Sequence, residues 1–305
     1  MELLEKLCGI HAPSGEEFRL KDFLLEYIEK EKPNWQVCPE IIHGNDYMDS
    51  LILVFGKPET VAYCHMDSVG FHTRYDNELV KIGGPAIENG YILKGEDSKG
   101  CIECELQIDK DNPHKLSYKY SRHIDRGTSL VFKPDFRNDQ FFVQSPFLDN
   151  RLGIYAMLEV AKTIKNGAIA FSCWEEHGGG SVGFITKFLW EKYNIRQALI
   201  ADITWITPGI KPGLGVVVSL RDQNIPRRSF VNRITDIADM HQVKYQLEVE
   251  SSGSSDGGEI QKSPYPVDWC FIGAAEENVH SPYERVHKND IGSMIELYEI
   301  LFQYL

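Results

Sequence analysis

The chain has 305 residues, of which 42% are apolar and 25% are charged, and its formal net charge is -13. This length allows one large domain or a core domain with a smaller inserted one, and the composition is ordinary for a soluble globular protein. The acidic balance disfavours nucleic acid or an anionic membrane as the main partner, because no basic surplus exists to neutralise phosphates.

The amino-terminal segment lacks a basic stretch followed by an apolar one, so we expect no signal peptide. No apolar run approaches the roughly 18 residues of a membrane span. Seven cysteines, an odd number, then favour reduced thiols and a cytoplasmic location. Cys101 and Cys104 form a lone CxxC, which we interpret as plain thiols because no second pair stands at the spacing of a zinc site.

An amphipathic helix is predicted over residues 14–31, where Ser14 and Glu17 have the spacing of a capping box. Its core face would consist of four apolar side chains: Phe18, Phe23, Leu24 and Ile28. Two short strands, 51–55 and 60–64, follow on either side of the turn residues GKPE.

The segment 71–145 differs in character from the rest of the chain. It contains short pieces of alternating polar and apolar residues with turns between them, and it has no convincing long helix. We therefore predict a small all-β domain of residues 71–145, resembling a β-barrel, inserted into a larger domain of residues 1–70 and 146–305.

After Pro146, strands and helices alternate. The predicted helices cover 149–165, 181–193, about 227–241 and 290–305, and the predicted strands cover 168–174, 198–203, 214–220, 244–249 and 267–273. This alternation predicts an α/β fold with a mostly parallel, mixed sheet flanked by helices, interrupted by the inserted all-β domain.

Acidic and histidine side chains occur at five strand or helix ends. In chain order, the five positions carry His65 and Asp67, then Asp149, then Glu175 and Glu176, then Asp202, and finally His280. Ligands of an open α/β sheet gather at the carboxyl ends of its strands, so these side chains are expected to converge. Each alone has an ordinary explanation, such as a buried histidine, a helix cap or a turn acid. Together, two histidines with several carboxylates fit a site for two metal ions better than a site for one.

The adjacent carboxylates of Glu175 and Glu176 follow an apolar strand directly. Like charges this close repel unless a cation lies between them, and a proton, a basic side chain or a metal ion would serve. In a two-metal site, one glutamate would bind metal while its neighbour takes a proton from the attacking water.

The motifs HMD (65–67), LDNR (148–151), EE (175–176), AD (201–202) and HSP (280–282) occur in an order that resembles one family. It is the glutamyl-aminopeptidase and tetrahedral-aminopeptidase family of co-catalytic metallopeptidases, formerly confused with endoglucanases. The segments LLEKLCGIHAPSGEE, SSGSSDGGEI and VHSPYERVH are similar as well, so the resemblance covers nearly the whole chain. It implies a zinc-exopeptidase-like fold and an aminopeptidase that removes N-terminal residues from peptides with a hydroxide bound by two metals.

The resemblance implies two metal-ligand sets that share Asp149 as the bridging carboxylate. His65 and Asp202 complete one set, and Glu176 and His280 complete the other. HSP is the motif context of the ligand, which favours His280 over the nearby His287.

Two further roles follow from the resemblance, and both belong to the catalytic residues. Glu175 is implied to be the general base, and Asp67 to orient His65 through a hydrogen bond. Asn150 stands where the family more often has a second acid, at a position that is not a ligand.

The implied cofactors are two divalent metal ions, of which zinc is expected first, and cobalt and manganese also accept this ligand set. The inserted domain, about 75 residues long, corresponds to the family's dimerisation or lid element but is shorter than usual. We expect a homo-oligomer and peptide substrates with a free N-terminus, while the number of subunits and the side-chain preference stay open.

Three alternatives remain at this stage. A dipeptidase or an N-acyl amino acid deacylase would share most of the ligands, and a catalytically silent binding protein would share the fold. A metal-free glycosidase would leave both histidines unexplained. His177 is expected to be an exposed turn residue, and Arg221, Arg227 and Arg228 to be surface arginines, although either group could instead line the cleft.

Overall fold

The structure is a computed structural model that describes all residues, 1–305. The seven α-helices are α1 (Glu2–Cys8), α2 (Phe18–Glu31), α3 (Leu148–Val160), α4 (Ser181–Tyr193), α5 (Arg228–Met240), α6 (Gly257–Lys262) and α7 (Lys288–Tyr304). The strands are β1 (Glu40–Ile42), β2 (Leu51–Phe55), β3 (Thr60–His65), β4 (Gly70–Thr73), β5 (Glu78–Ile82), β6 (Ile92–Asp97), β7 (Gly100–Ile108), β8 (Leu116–Lys119), β9 (Ser129–Phe132), β10 (Arg137–Asn138), β11 (Phe142–Gln144), β12 (Gly167–Ser172), β13 (Gln197–Trp205), β14 (Val216–Arg221), β15 (Tyr245–Val249), β16 (Asp268–Glu277) and β17 (Arg285–His287).

Eleven strands form one large mixed sheet, in the order β1-β2-β12-β3-β13-β16-β17-β11-β10, with β14 paired to β16 and β15 to β14. Its central strands β12, β3, β13 and β16 run parallel. Their apolar runs are buried on both sides, as parallel strands between two helix layers require. The predicted α/β fold with a helix-flanked mixed sheet is therefore confirmed. The sheet is not mostly parallel, because six of its ten strand pairings are antiparallel.

The faces of the central strands pack against different helices. Ala62 of β3 belongs to the larger core, which includes the apolar sides of α2, α3 and α7, whereas its neighbours Val61 and Tyr63 pack with α4. This alternation follows from the two-residue period of a strand and places the sheet between two helix layers.

A second, smaller sheet closes into a barrel of six strands in the order β4-β5-β8-β7-β6-β9. Its interior has a core of its own, with Phe71, Leu93, Leu106 and Phe132 fully buried. The expected small all-β unit is thus present. The strands β10 and β11, which also fall within residues 71–145, pair instead with the large sheet through β17.

The predicted capping box at the start of α2 is wrong. The helix begins at Phe18 with no side-chain cap, because the Ser14 hydroxyl donates to the Asp67 carboxylate at 2.6 Å. Glu17 is buried and accepts the backbone N–H of Trp174 at 3.0 Å. Tertiary partners thus outcompete the local cap. Phe18, predicted to face the core, is 42% exposed, and Leu20 is buried in this first turn instead.

The remaining predicted elements agree with the observed ones to within a few residues at each end. Among the differences, α3 ends at Val160 rather than at residue 165, and β16 runs on to Glu277. None of the seven helices combines the length and the apolar character that crossing a membrane requires.

Candidate metal centre

The predicted acids and histidines converge at the carboxyl edge of the parallel strands. His65 is the last residue of β3, and Asp202 lies near the end of β13. Asp149 lies in the first turn of α3, and Glu175 and Glu176 form a short 3-10 turn after β12. His280 lies in the loop between β16 and β17. The peptide bond between Asp149 and Asn150 is cis.

The carboxylate of Asp149 lies between the two histidines. Its Oδ1 is 3.0 Å from Nε2 of His65, and its Oδ2 is 3.2 Å from Nε2 of His280. Asp202 Oδ2 is 3.6 Å from the same nitrogen of His65, and Glu176 Oε2 is 3.2 Å from that of His280. The side chains therefore form two groups of donors, each with one histidine, that share the two oxygens of Asp149.

Each histidine directs Nε2 towards these carboxylates because its other ring nitrogen has a partner of its own. Nδ1 of His65 lies 3.2 Å from the carbonyl oxygen of Asp67, and Nδ1 of His280 lies 3.2 Å from that of Gly84. A carbonyl oxygen only accepts, so Nδ1 carries the proton and the Nε2 lone pair is free in the neutral ring. This is the tautomer in which histidine binds a metal through Nε2.

Asp67 holds the turn that carries the two glutamates. Its carboxylate accepts the backbone N–H groups of Glu175 at 3.1 Å and of Glu176 at 3.0 Å. It also lies 3.5 Å from Nδ1 of His65. One fully buried carboxylate therefore sets the positions of the end of β3 and of the turn after β12 together.

Two contacts around the site were missed by the sequence analysis. The Ser255 hydroxyl donates to Asp202 Oδ2 at 2.6 Å, and Glu284 Oε2 accepts the backbone N–H of Asp149 at 3.2 Å. Both residues belong to segments whose family resemblance was noted, SSGSSDGGEI and VHSPYERVH. Nothing in their local pattern indicated which polar residue of each segment would reach the site.

The electrostatics of the cluster favour a bound cation. Burial, reinforced by the nearby Asp149, raises the pKa of Glu176 to about 7. Burial, with Glu176 adding to it, also raises the pKa of Glu175 well above its usual value. Burial opposes protonation of His280, but Asp149 and Glu176 outweigh it and raise its pKa to about 12. Buried anions this close attract positive charge, which protons or metal ions supply.

The donor atoms fit a divalent metal. Ligand atoms of His65, Asp149 and Glu176 all lie within 4.8 Å of one another. The second oxygen of Glu176, Oε1, is buried without any hydrogen-bond partner. An unpartnered buried carboxylate oxygen is costly, and a metal ion would satisfy it. Mixed imidazole and carboxylate donors suit zinc, cobalt and manganese.

His287 and His177 lie outside this cluster. Nδ1 of His287 accepts the backbone N–H of Asn289 and caps α7, so this histidine does not compete with His280. His177 is exposed, but its Nδ1 accepts the backbone N–H of Gly83 at 3.0 Å and links the glutamate turn to the barrel.

Asn150 is fully buried beside the site and acts through hydrogen bonds. Its amide donates to the carbonyl of Ala201, and its oxygen accepts the backbone N–H of Gly153. Asn150 thereby fastens the start of α3 to β13.

Cys101 is exposed and Cys104 is buried, and both are free thiols.

Comparison with known proteins gives one matching family. The sequence model of the M42 glutamyl aminopeptidases matches residues 97–297, about two thirds of the chain. This range includes Asp149, Glu175, Glu176, Asp202 and His280.

Solved structures of low sequence identity share the fold. An aminopeptidase from the archaeon Desulfurococcus kamchatkensis superposes with a TM-score of 0.86 at 19% identity, over 100% of this chain and 94% of that one. The TET1 peptidase of Pyrococcus horikoshii, described as assembling into a tetrahedron or a large octahedral shell, gives 0.80 at 21% identity over 98% of both chains. A Thermotoga maritima protein described as an endoglucanase gives 0.76 at 16% identity, over 98% of this chain and 96% of that one.

Proposed function

Since this chain belongs to the family of M42 glutamyl aminopeptidases, a family of metal-dependent peptidases, we propose that it removes single residues from free N-termini with two divalent ions and Glu175 as general base. The observation that carries this proposal is the position of Asp149, whose two oxygens face two different histidines. A carboxylate shared in this way suits a pair of ions better than one.

The chain offers one ligand set on each side of Asp149. His65 and Asp202 would hold the first ion, and Glu176 and His280 the second. When bound, such ions polarise the scissile carbonyl and make the attacking water more acidic. Zinc is the ion we expect first, because imidazole and carboxylate donors are its usual ligands besides thiolate.

Glu175 takes the proton of the attacking water and passes it to the leaving amine. Its carboxyl lines the cavity at the cluster and is not among the proposed ligands, so it is available to take a proton. Asp67 is a positioning residue, because it acts through His65 and through the backbone of the glutamate turn.

The substrate's free amine would be recognised by the acidic surroundings of the ions, which select a positively charged N-terminus over a blocked one. This distinguishes an aminopeptidase from a dipeptidase or a deacylase, which needs the free carboxylate of its substrate. The intact set of ligands argues against a catalytically silent binding protein.

The proposal also assigns a role to each part of the chain. We assign residues 1–70 and 146–305 to the catalytic unit and the barrel within residues 71–145 to a dimerisation or lid unit, while β10 and β11 of that segment join the catalytic sheet. The barrel reaches the site, since Gly84 between β5 and β6 contacts His280. The assemblies described for the Pyrococcus horikoshii relative support self-association of this chain as well.

Hydrolysis of chromogenic aminoacyl substrates by metal-stripped protein, with and without added zinc, cobalt or manganese, tests the proposal. N-acetylated substrates are the controls. Metal-dependent cleavage of the free-amine substrates alone is expected. Release of the chromophore from the acetylated controls would contradict the requirement for a free N-terminus, and no cleavage with any metal would contradict the proposed enzyme.

A further inference from the structure

The cavity beside the metal ligands continues away from them into an acidic recess. Its volume is about 110 Å³, which is room for several water molecules at the roughly 10–15 Å³ that each needs. Glu175 and Glu176 line it at the metal side, and the carboxylates of Asp222, Glu248 and Glu250 line it farther along. No lysine or arginine lines it. We call Asp222, Glu248 and Glu250 the acidic wall.

Glu248 carries the least solvated carboxylate of the acidic wall. Its side chain lies on β15 and is only 4% exposed, and the hydroxyl of Thr204 donates a hydrogen bond to it. Ser219 lies opposite Glu248 in the pairing of β14 with β15, and its buried hydroxyl faces the same carboxylate. A buried carboxylate that has hydroxyl partners but no cation is costly unless a ligand completes its shell.

The other two carboxylates also have no cation in direct contact. Asp222 is 8% exposed and accepts the backbone N–H of Asn224, and Glu250 is half-buried. Neither they nor Glu248 take part in a salt bridge. Burial raises the pKa of Glu248, and its neighbours Glu250 and Asp222 add to the increase. The three groups thus repel one another.

Metal ions at the catalytic centre do not neutralise the acidic wall. Two divalent ions would carry four positive charges, and the carboxylates near them outnumber those charges: Asp149, Glu175, Glu176, Asp202, Asp67, Asp256, Glu276 and Glu284. The three carboxylates of the acidic wall then remain without a cation in direct contact. A cation that enters the cavity from the metal side would meet them.

We propose that the acidic wall is the pocket for the side chain of the substrate's first residue, and that it selects lysine or arginine at the N-terminus. This inference rests on the proposed function and adds the substrate class to it. A long cationic side chain would lie along the cavity with its amine at the metal side and its charged end at Glu248, Asp222 and Glu250. Charge-assisted hydrogen bonds there would replace those lost from water.

The arginines that could have made the pocket cationic lie elsewhere. Arg221 donates to the carbonyl of Asp222 and does not line the cavity, Arg227 pairs with Asp268 at the surface, and Arg228 is exposed. The pocket therefore opposes acidic side chains.

The test compares matched p-nitroanilide substrates on the zinc-loaded enzyme. Lysine is paired with norleucine and arginine with citrulline, and the p-nitroanilide of glutamate is the fifth substrate. Each pair has similar length and differs in charge. The ratio of kcat/KM values within a pair is measured for the wild type, for Glu250→Gln and Asp222→Asn, and for Glu248→Gln. Glu59→Gln, an exposed turn residue far from the site, is the control.

The wild type is expected to prefer the cationic member of each pair. Each substitution in the acidic wall should lower the preference about 10- to 100-fold, the range of one charge-assisted hydrogen bond, because it slows lysine hydrolysis far more than norleucine hydrolysis. A ratio near one, or a preference for glutamate, would overturn the inference. Equal losses on lysine and norleucine would overturn it too, because they would place the substrate's α-amine or a structural role at the acidic wall.

A binding measurement separates this inference from the proposed function. Zinc-loaded Glu175→Gln protein is titrated calorimetrically with lysinamide and with norleucinamide. Tighter binding of lysinamide supports the pocket even if the wild type cleaves nothing, in which case only the proposed activity fails. Equal binding of the two amides overturns the pocket whether or not peptides are cleaved.

Discussion

The Asp67 carboxylate accepts the backbone N–H of Glu176 at 3.0 Å, although the two residues are 109 positions apart in the chain. The same carboxylate faces Nδ1 of His65. One buried side chain thus positions a ligand candidate from each of the two donor groups, so its loss affects both groups at once.

Asp67→Asn is expected to weaken zinc binding about 10- to 100-fold, the usual cost of removing a partner of a ligating histidine. An asparagine keeps the size of the side chain but accepts hydrogen bonds through only one oxygen. One of the two backbone N–H groups, of Glu175 or of Glu176, therefore loses its acceptor. Competition with a fluorescent chelator measures the affinity. Unchanged affinity together with a loss of activity would contradict the positioning role.

Substitutions of Asp202 and of Asp149 are expected to differ in how many metal ions the protein retains. Asp202 faces only His65, whereas Asp149 faces both histidines. Asp202→Asn should therefore lower the zinc content from two ions to one per chain, and Asp149→Asn should weaken both. Elemental analysis after equilibrium dialysis measures the content. Identical loss in the two variants would argue against a shared carboxylate.

Glu175→Gln should lower kcat by about 10²- to 10⁴-fold, because proton transfer by a positioned side chain contributes that much. Zinc content should stay at the wild-type value, since Glu175 is not among the proposed ligands. Glu59→Gln again provides the control. A fully active Glu175→Gln protein would remove the general base from the mechanism.

Gly153→Ala is expected to destabilise the fold by about 1–3 kcal/mol, as overpacking does. A Cβ at Gly153 of α3 would overlap the carbonyl oxygen of Ala201 and the side chain of Asn150, and so push α3 away from β13. Urea unfolding measures the change. Gly183→Ala is the matched control, because its Cβ meets no atom within 4 Å and alanine favours a helix by about 0.5–1 kcal/mol.

Metal-stripped protein should lose stability as the pH rises from about 5 to 8. Burial raises the pKa of Glu17 and of Glu176 to about 7, and the carboxylates facing His280 raise its pKa to about 12 against the effect of burial. The folded protein then binds protons that the unfolded chain has released, so each group's contribution is lost as the pH rises through its folded pKa. Burial lowers the pKa of His11 to about 4, so His11 by itself makes the folded state more stable as the pH rises. It is a single group, against the three groups whose pKa is raised.

Urea unfolding in a chelator across this pH range tests the expectation, with zinc-saturated protein as the comparison. Zinc should restore more stability at pH 8 than at pH 5, because its ligands must be deprotonated to bind it. Stability of the stripped protein that increases steadily with pH would contradict the assigned shifts.

Much of the fold followed from local patterns. The alternation of apolar runs and amphipathic helices predicted α4 at Ser181–Tyr193 and β2 at Leu51–Phe55 with their observed bounds. The start of α2 did not follow, because Ser14 and Glu17 have the local chemistry of a cap but bind Asp67 and Trp174 instead. Local sequence carries no information on such distant competitors.

The sequence by itself determined the α/β fold, the inserted all-β unit and the candidate ligands, because periodicity and residues at strand ends are local properties of the chain. Only the tertiary structure decided that the two oxygens of Asp149 face different histidines. It alone placed Glu248, at an unremarked position of β15, in the same cavity as Glu175. Distance between side chains from separate strands depends on sheet order and register, which long-range packing establishes and no short segment encodes.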